Sequence, residues 1–130
     1  MSILNLTQHP ATPEQVKAGV VDLQGEQLQF VKDLLTFEEI PDSQEIQRRA
    51  EKLAYFGMFY DPENIGNPIP VGWAMIGGAP FFMAALEKAL KERGVTPLYA
   101  FSKRESIEQT MPDGTVSKTN IFKHVGFIKI

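Results

Sequence analysis

The sequence predicts an α/β domain with a mostly parallel sheet and a C-terminal antiparallel β-hairpin, and three observations carry that reading. The first is a continuous apolar run over residues 72–76 (Trp73, Ala74, Met75 and Ile76 after Gly72), of the kind found in strands buried on both faces. A glycine turn, a helical stripe, a second glycine and another apolar run at residues 97–101 follow it within one βαβ length. The second is a short apolar opening that leads directly into a well-marked helix start. The third is Pro112-Asp113-Gly114, a hairpin-turn sequence flanked by two extended segments.

In chain order, residues 2–6 form the expected first strand. Thr12 can cap a helix, Pro13 suits its first position, and Gln15 completes a capping box. Gly19 ends that short helix. Leu28, Val31 and Leu35 recur at helical spacing and predict a second helix, with an extended piece at Val20-Val21 or near residues 37–40. Asp42 or Ser43 caps a third helix whose inner face carries Ile46, Ala50, Leu53 and Ala54. Residues 61–70 hold three prolines, Gly66 and two asparagines, and read as a surface loop. After the 72–76 strand, Gly77-Gly78-Ala79-Pro80 forms a tight turn. The following helix runs to about Arg93, with Phe82, Leu86, Ala89 and Leu90 as its buried stripe and Gly94 at its C-terminal end. Residues 106–111 and 115–122 form the two sides of the terminal hairpin.

At 130 residues the chain is long enough for one hydrophobic core, and it is read as a single domain spanning residues 1–130. Its apolar content of 43% and charged content of 22% are those of ordinary globular chains. A net charge of −3 predicts no general attraction to duplex nucleic acid or to an anionic membrane. With no cysteine there are no disulfides and no thiolate metal sites. No leader and no membrane-spanning run is apparent, so the expected location is cytoplasmic.

In open α/β sheets, ligands bind outside the carboxyl ends of the strands, where neighbouring loops face each other. Three loops qualify. Thr7, Gln8 and His9 follow the first strand, Gly77, Gly78 and Ala79 follow the middle one, and Ser102, Lys103, Arg104, Glu105 and Ser106 follow the next. An imidazole, bare backbone N–H groups at a helix start, and two cations with two hydroxyls together describe a site for a phosphate-bearing ligand. Each also has a plainer reading. Gly77-Gly78 matches no dinucleotide or Walker pattern and can be only a βα turn; His9 can be a solvated turn residue; Lys103 and Arg104 can be a solvated pair. Lys123 and His124 read as surface residues. No metal site and no cofactor is expected, since the two histidines are far apart in sequence and no ligand spacing is present. Phe81, Phe82, Met83 and Leu86 read as core rather than as a dimer face.

Residues 94–106, Gly-Val-Thr-Pro-Leu-Tyr-Ala-Phe-Ser-Lys-Arg-Glu-Ser, are distinctive. With Pro112-Asp113-Gly114-Thr115-Val116, Phe122-Lys123-His124-Val125 and the opening residues 5–15, they resemble small CRISPR-associated proteins of the group that includes ring nucleases. The likeness covers both ends and the Gly77-Gly78 turn, about two-thirds of the chain, and is weak over residues 20–70. The resemblance implies a compact Rossmann-like, three-layer fold related to the CARF ligand-sensing domain of type III CRISPR effectors, and a homodimer. It implies binding of cyclic oligoadenylate and metal-independent phosphodiesterase cleavage by attack of a ribose 2′-OH, a switch that turns antiviral defense off. On that reading Thr7, Gln8 and His9 lie beside the scissile ribose, with His9 as base or as donor to a phosphate oxygen. Gly77, Gly78 and Ala79 supply N–H donors, Ser102, Ser106, Lys103 and Arg104 hold phosphate, and Glu105 orients Arg104. The other reading is a non-catalytic cyclic-nucleotide binding module, a sensor or sponge.

Overall fold

A computed structural model of the chain describes residues 2–60, 69–70 and 72–130. The elements in order are β1 (Ile3–Leu6), α1 (Pro13–Lys17), β2 (Val20–Val21), α2 (Gly25–Leu35), α3 (Ser43–Gly57), β3 (Phe59–Tyr60), β4 (Ile69–Pro70), β5 (Trp73–Ile76), α4 (Pro80–Glu92), β6 (Thr96–Thr110) and β7 (Val116–Lys129). Five strands form one sheet in the order β2-β1-β5-β6-β7. The first three pairings are parallel, and β6 and β7 pair antiparallel. β3 and β4 form a separate two-stranded ladder, with Phe59 opposite Pro70 and Tyr60 opposite Ile69. The end of the predicted 61–70 loop is therefore a strand, and residues 61–68 lie outside the described residues.

Local sequence explains most boundaries. Thr12 and Gln15 close the expected capping box, with Gln15 N donating to Thr12 Oγ1 at 3.2 Å and Thr12 N to Gln15 Oε1 at 3.0 Å. Asp42 caps α3 by accepting from Glu45 N at 2.7 Å. Of the two places proposed for an extended piece, Val20-Val21 is the strand, because it finds Ile3 and Leu4 as parallel partners. Residues 37–40 form no strand. Alternation along β1 splits its side chains between two clusters. Leu4 and Leu6 join Ala74, Ile76 and the inner faces of α2, α3 and α4 in the main core, where Phe82, Leu53, Leu86 and Leu90 are fully buried. Ile3 joins Val20, Met75 and Leu98 on the other face, under Ala11, Trp73 and Phe127. Of the stripe at the start of α4, Phe82, Met83 and Leu86 are core, while Phe81 is half exposed.

The largest departure from expectation is β6. Residues 102–106 are not a loop at the end of a strand; they lie inside one continuous strand that runs to Thr110. β5 pairs with β6 only at Thr96, Pro97 and Leu98, and beyond that β6 is bonded to β7 alone. A polar run such as Ser-Lys-Arg-Glu-Ser is stable there because a two-stranded ribbon wets both faces. What holds it is a ladder to residues some 20 positions away, which no local pattern reveals. A β-bulge at Phe101/Ser102 leaves Val125 without an opposite residue.

Candidate functional site

β1 and β5 lie side by side, and the chain leaves them in opposite directions. After β1 it turns through α1 to β2 on one side; after β5 it turns through α4 to β6 on the other. Loops that diverge from adjacent parallel strands leave a crevice at the carboxyl edge. One of about 690 Å³ is found there, lined by residues that include Thr7, Gln8, His9, Thr36, Phe37, Gly77, Gly78, Ala79 and Tyr99. The register puts Leu6 opposite Ile76, so Thr7 and Gly77 leave the sheet at the same level. A Cβ on Gly77 would stand 3.6 Å from Thr7 Cγ2. Two of the three predicted loops thus share a cleft.

The loop after β1 is held by a polar network that the sequence reading missed. Asn5 is buried, and its amide donates to His9 O at 2.8 Å and to Asp22 Oδ1 at 2.7 Å. Its Oδ1 lies 2.9 Å from Thr7 N and 2.7 Å from Thr7 Oγ1. Asp22 in turn accepts from Ala11 N at 3.1 Å and 3.2 Å. Thr7 Oγ1 also lies 3.0 Å from His9 O, so the hydroxyl is committed to the turn. The signal for Asn5 was a lone amide in an apolar strand, since a buried amide must find partners. Gln8 reaches across the crevice to donate to Thr36 Oγ1 at 3.1 Å. The His9 side chain is exposed at the rim, and its ring makes no hydrogen bond among the described residues. Lys32 lines an adjoining hollow with Asn5, Gln8, His9 and Asp22, which makes it a cation beside the site that periodicity alone assigned to a helix.

The opposite wall begins at Gly78, whose φ of +150° is a conformation reserved for glycine. Next comes α4, with Ala79 at its N-cap, no side-chain cap and no acidic residue in its first turn. Pro80 has no N–H and Phe82 N donates to Ala79 O at 3.0 Å, so the turn before the helix, Gly77 to Ala79, presents its backbone to the crevice at the positive end of the helix dipole. Phe37, which stacks edge-on to Phe82 with ring centroids 5.3 Å apart, and Tyr99 add apolar walls. Tyr99 donates to Glu87 at 2.7 Å. Burial, then the Glu87 carboxylate, pushes its phenol well above the ordinary range, so it stays protonated.

Ser102, Lys103, Arg104 and Ser106 are not in the crevice lining. Tyr99 follows Leu98, which pairs with Met75, so it stands beside Ile76. Lys103 lies about 13 Å further along the strand, at roughly 3.3 Å per residue. Lys103 faces Lys123 across the ribbon, Ser102 faces His124, Arg104 faces Phe122, and Ser106 Oγ donates to Asn120 Oδ1 at 2.9 Å. The third predicted loop thus belongs to a projecting arm rather than to the crevice of its own chain.

Among the described residues no group of three or more His, Asp or Glu side chains could hold a metal ion, and no helix is long and apolar enough to cross a membrane. No curated protein and no solved structure matches the chain. A sequence model of one family, described as the uncharacterized protein MJ1673 family, matches residues 1–128. Since that match takes in both walls of the crevice and the arm, the chain belongs to the uncharacterized protein MJ1673 family.

Proposed function

We propose that this protein binds a cyclic oligoadenylate across the β1/β5 crevice and cleaves it without a metal, as a ring nuclease. The observation that carries the reading is the make-up of that crevice. The Gly77–Ala79 turn before α4 opens on it, no carboxylate is among its lining residues, and the hollow beside it holds Lys32 together with Asp22, whose carboxylate accepts from Asn5 and Ala11. Such a surface suits a phosphodiester, whose oxygens take N–H donors and whose charge a carboxylate would repel. Apolar walls from Leu35, Phe37 and Ile76 suit the face of a purine. The fold is taken as Rossmann-like and CARF-related, with α1 and the segment before it as a third layer, and the protein as a cytoplasmic homodimer acting in CRISPR defense.

In the proposed reaction His9 takes the proton of a ribose 2′-OH. The 2′-oxygen bonds to the adjacent phosphorus, the bond from phosphorus to the 5′-oxygen breaks, and that oxygen leaves and takes up a proton from water. The product carries a 2′,3′-cyclic phosphate and a 5′-hydroxyl. The protein's main contribution is to hold the attacking and leaving oxygens in line. Gly77, Gly78 and Ala79 donate backbone N–H groups to the phosphate.

A binding-only reading has one observation in its favour: nothing among the described residues orients the His9 ring, whereas a catalytic base is usually held by a further group. Incubation with cyclic tri-, tetra- and hexa-adenylate in EDTA, followed by chromatography, separates the two. Linear products ending in a cyclic phosphate support the nuclease. Tight binding with no product supports the sensor or sponge, and no binding to any ring removes both.

A further inference from the structure

Beyond residue 98 the β6–β7 ribbon leaves the domain. It rises from the carboxyl edge of the sheet, the edge that holds the crevice, and reaches roughly 35–40 Å at about 3.3 Å per residue. From Ala100 to Lys123 every residue but Glu105 is exposed. Large apolar side chains are bare on both faces, among them Ile107 on one and Phe122, 75% exposed, on the other. A two-stranded ribbon alone in water is marginally stable. This one also sets Lys103 directly opposite Lys123, a destabilising like-charge pair with no acidic partner among the described residues.

The charge of the arm is opposite to that of the body. Residues 99–128 carry Lys103, Arg104, Lys118 and Lys123 against Glu105, Glu108 and Asp113, a net of +1. The whole chain is −3, so the remaining residues carry −4. Much of that negative charge lies on the connection between α2 and α3. There Glu38, Glu39 and Asp42, with Asp33 from the end of α2, line a groove of about 780 Å³ that Glu45 and Arg49 also line, and Ile40 is fully exposed in it. The same connection supplies Thr36 and Phe37 to the crevice, so the acidic rim and the crevice share a wall.

We infer that the arm docks on a second copy of this chain, its cations against the partner's acidic rim and its apolar residues against Ile40 and Phe81. The arms of a two-fold pair then bring Lys103, Arg104 and Lys123 to a crevice whose own lining holds no lysine or arginine. That last consequence rests on the function proposed above; the docking itself does not. A second copy is the occupant the observations favour, because it carries both the complementary charge and the missing cations.

The test is the mass of the full chain by analytical ultracentrifugation over a range of concentration and salt. A dimer is expected, weakened by added salt. Lys103→Glu with Arg104→Glu should raise its dissociation constant about 100-fold. Both sites are exposed, so an unchanged thermal melt of that variant verifies that the domain still folds. Mixing it with a Glu38→Lys/Glu39→Lys chain should restore a mixed dimer. A monomeric wild type at all concentrations overturns the inference, as does a dimer indifferent to the arm reversal. A monomer whose arm instead retains a nucleic acid duplex overturns it too. Titration with cyclic tetra-adenylate keeps the two proposals apart. Rings bound equally by wild type and arm variant remove the arm's cations from the site while sparing the crevice, and an arm-dependent dimer that binds no ring spares the docking and removes the proposed function.

Discussion

Asn5 and Gln15 are the buried polar residues among those described, and Asn5 spends both ends of its amide on the turn that carries His9. Replacing it with leucine strands the Thr7 N–H, His9 O and Asp22 together. Asn5→Leu is expected to cost about 1–3 kcal/mol in a denaturant melt, and to weaken ring binding by displacing His9. His9→Ala, by contrast, is expected to leave the melt unchanged. In single-turnover cleavage assays it should lower the rate by roughly 10²–10⁴ if the ring is the base. The far wall depends on Glu45 and Arg49. Arg49 donates to Thr36 O at 2.6 Å, stacks over Phe37 at 4.4 Å, and is held by Glu45 at 2.6 Å. Hydrogen bonds from Arg48 and Arg49 hold the Glu45 carboxyl at about 2, below its usual 4.5. A depressed folded value means that this contribution is complete above pH about 4.5 and is lost as pH falls toward 2. The difference in melting temperature between wild type and Glu45→Gln should therefore shrink across that interval. Asp113, lowered by the Thr115 hydroxyl and N–H, titrates in the same direction at the arm's turn.

At the scale of elements, α4 links the core to the site. Phe82 sits in its first turn, fully buried against Phe37. Phe82→Ala should cost about 3–5 kcal/mol, read from the denaturant midpoint. Gly78 precedes the helix at φ +150° with ordinary space around it, since a Cβ would stand 3.6 Å from Met83 Cε. The penalty for Gly78→Val is therefore backbone strain, about 1–3 kcal/mol, with ring binding lost alongside. Helices were the legible part of this chain. Thr12, Pro13 and Gln15 marked one start, Asp42 another, and the Phe82, Leu86, Ala89 and Leu90 stripe named a face that proved buried. The turn at Gly114, with φ +85° after Pro112-Asp113, was equally plain. The two ends of β6 were read as extended, at 97–101 and 106–111, but the join between them was not, because Ser102 to Ser106 satisfy their backbone through distant residues and show neither periodicity nor burial.

For the whole molecule, the order β2-β1-β5-β6-β7 decides which loops meet. Since β1 and β5 are neighbours whose chains depart to opposite sides, Thr7, Gln8 and His9 face Gly77, Gly78 and Ala79. Since β6 passes its last bond to β5 and continues, Lys103 and Arg104 are carried away from that cleft. Arm truncation offers a prediction at this scale. A chain ending after Phe101 would lose β7 and expose the edge of β6, so shortening from the turn inward is the informative series. Removing residues 106–120 and rejoining the strands with a short turn should leave the core melt within about 1 kcal/mol, because those residues are exposed. It should also weaken the dimer without abolishing it, because Ile107 and Lys118 are removed while Lys103, Arg104 and Lys123 remain. By itself the sequence determined the capped helices, their buried stripes, the glycine turn and the hairpin turn, because each is written in residues a few positions apart. Tertiary structure alone decided how far β6 continues past β5, what Asn5 holds and where the cations stand, because those follow from hydrogen bonds and packing between residues far apart in the chain.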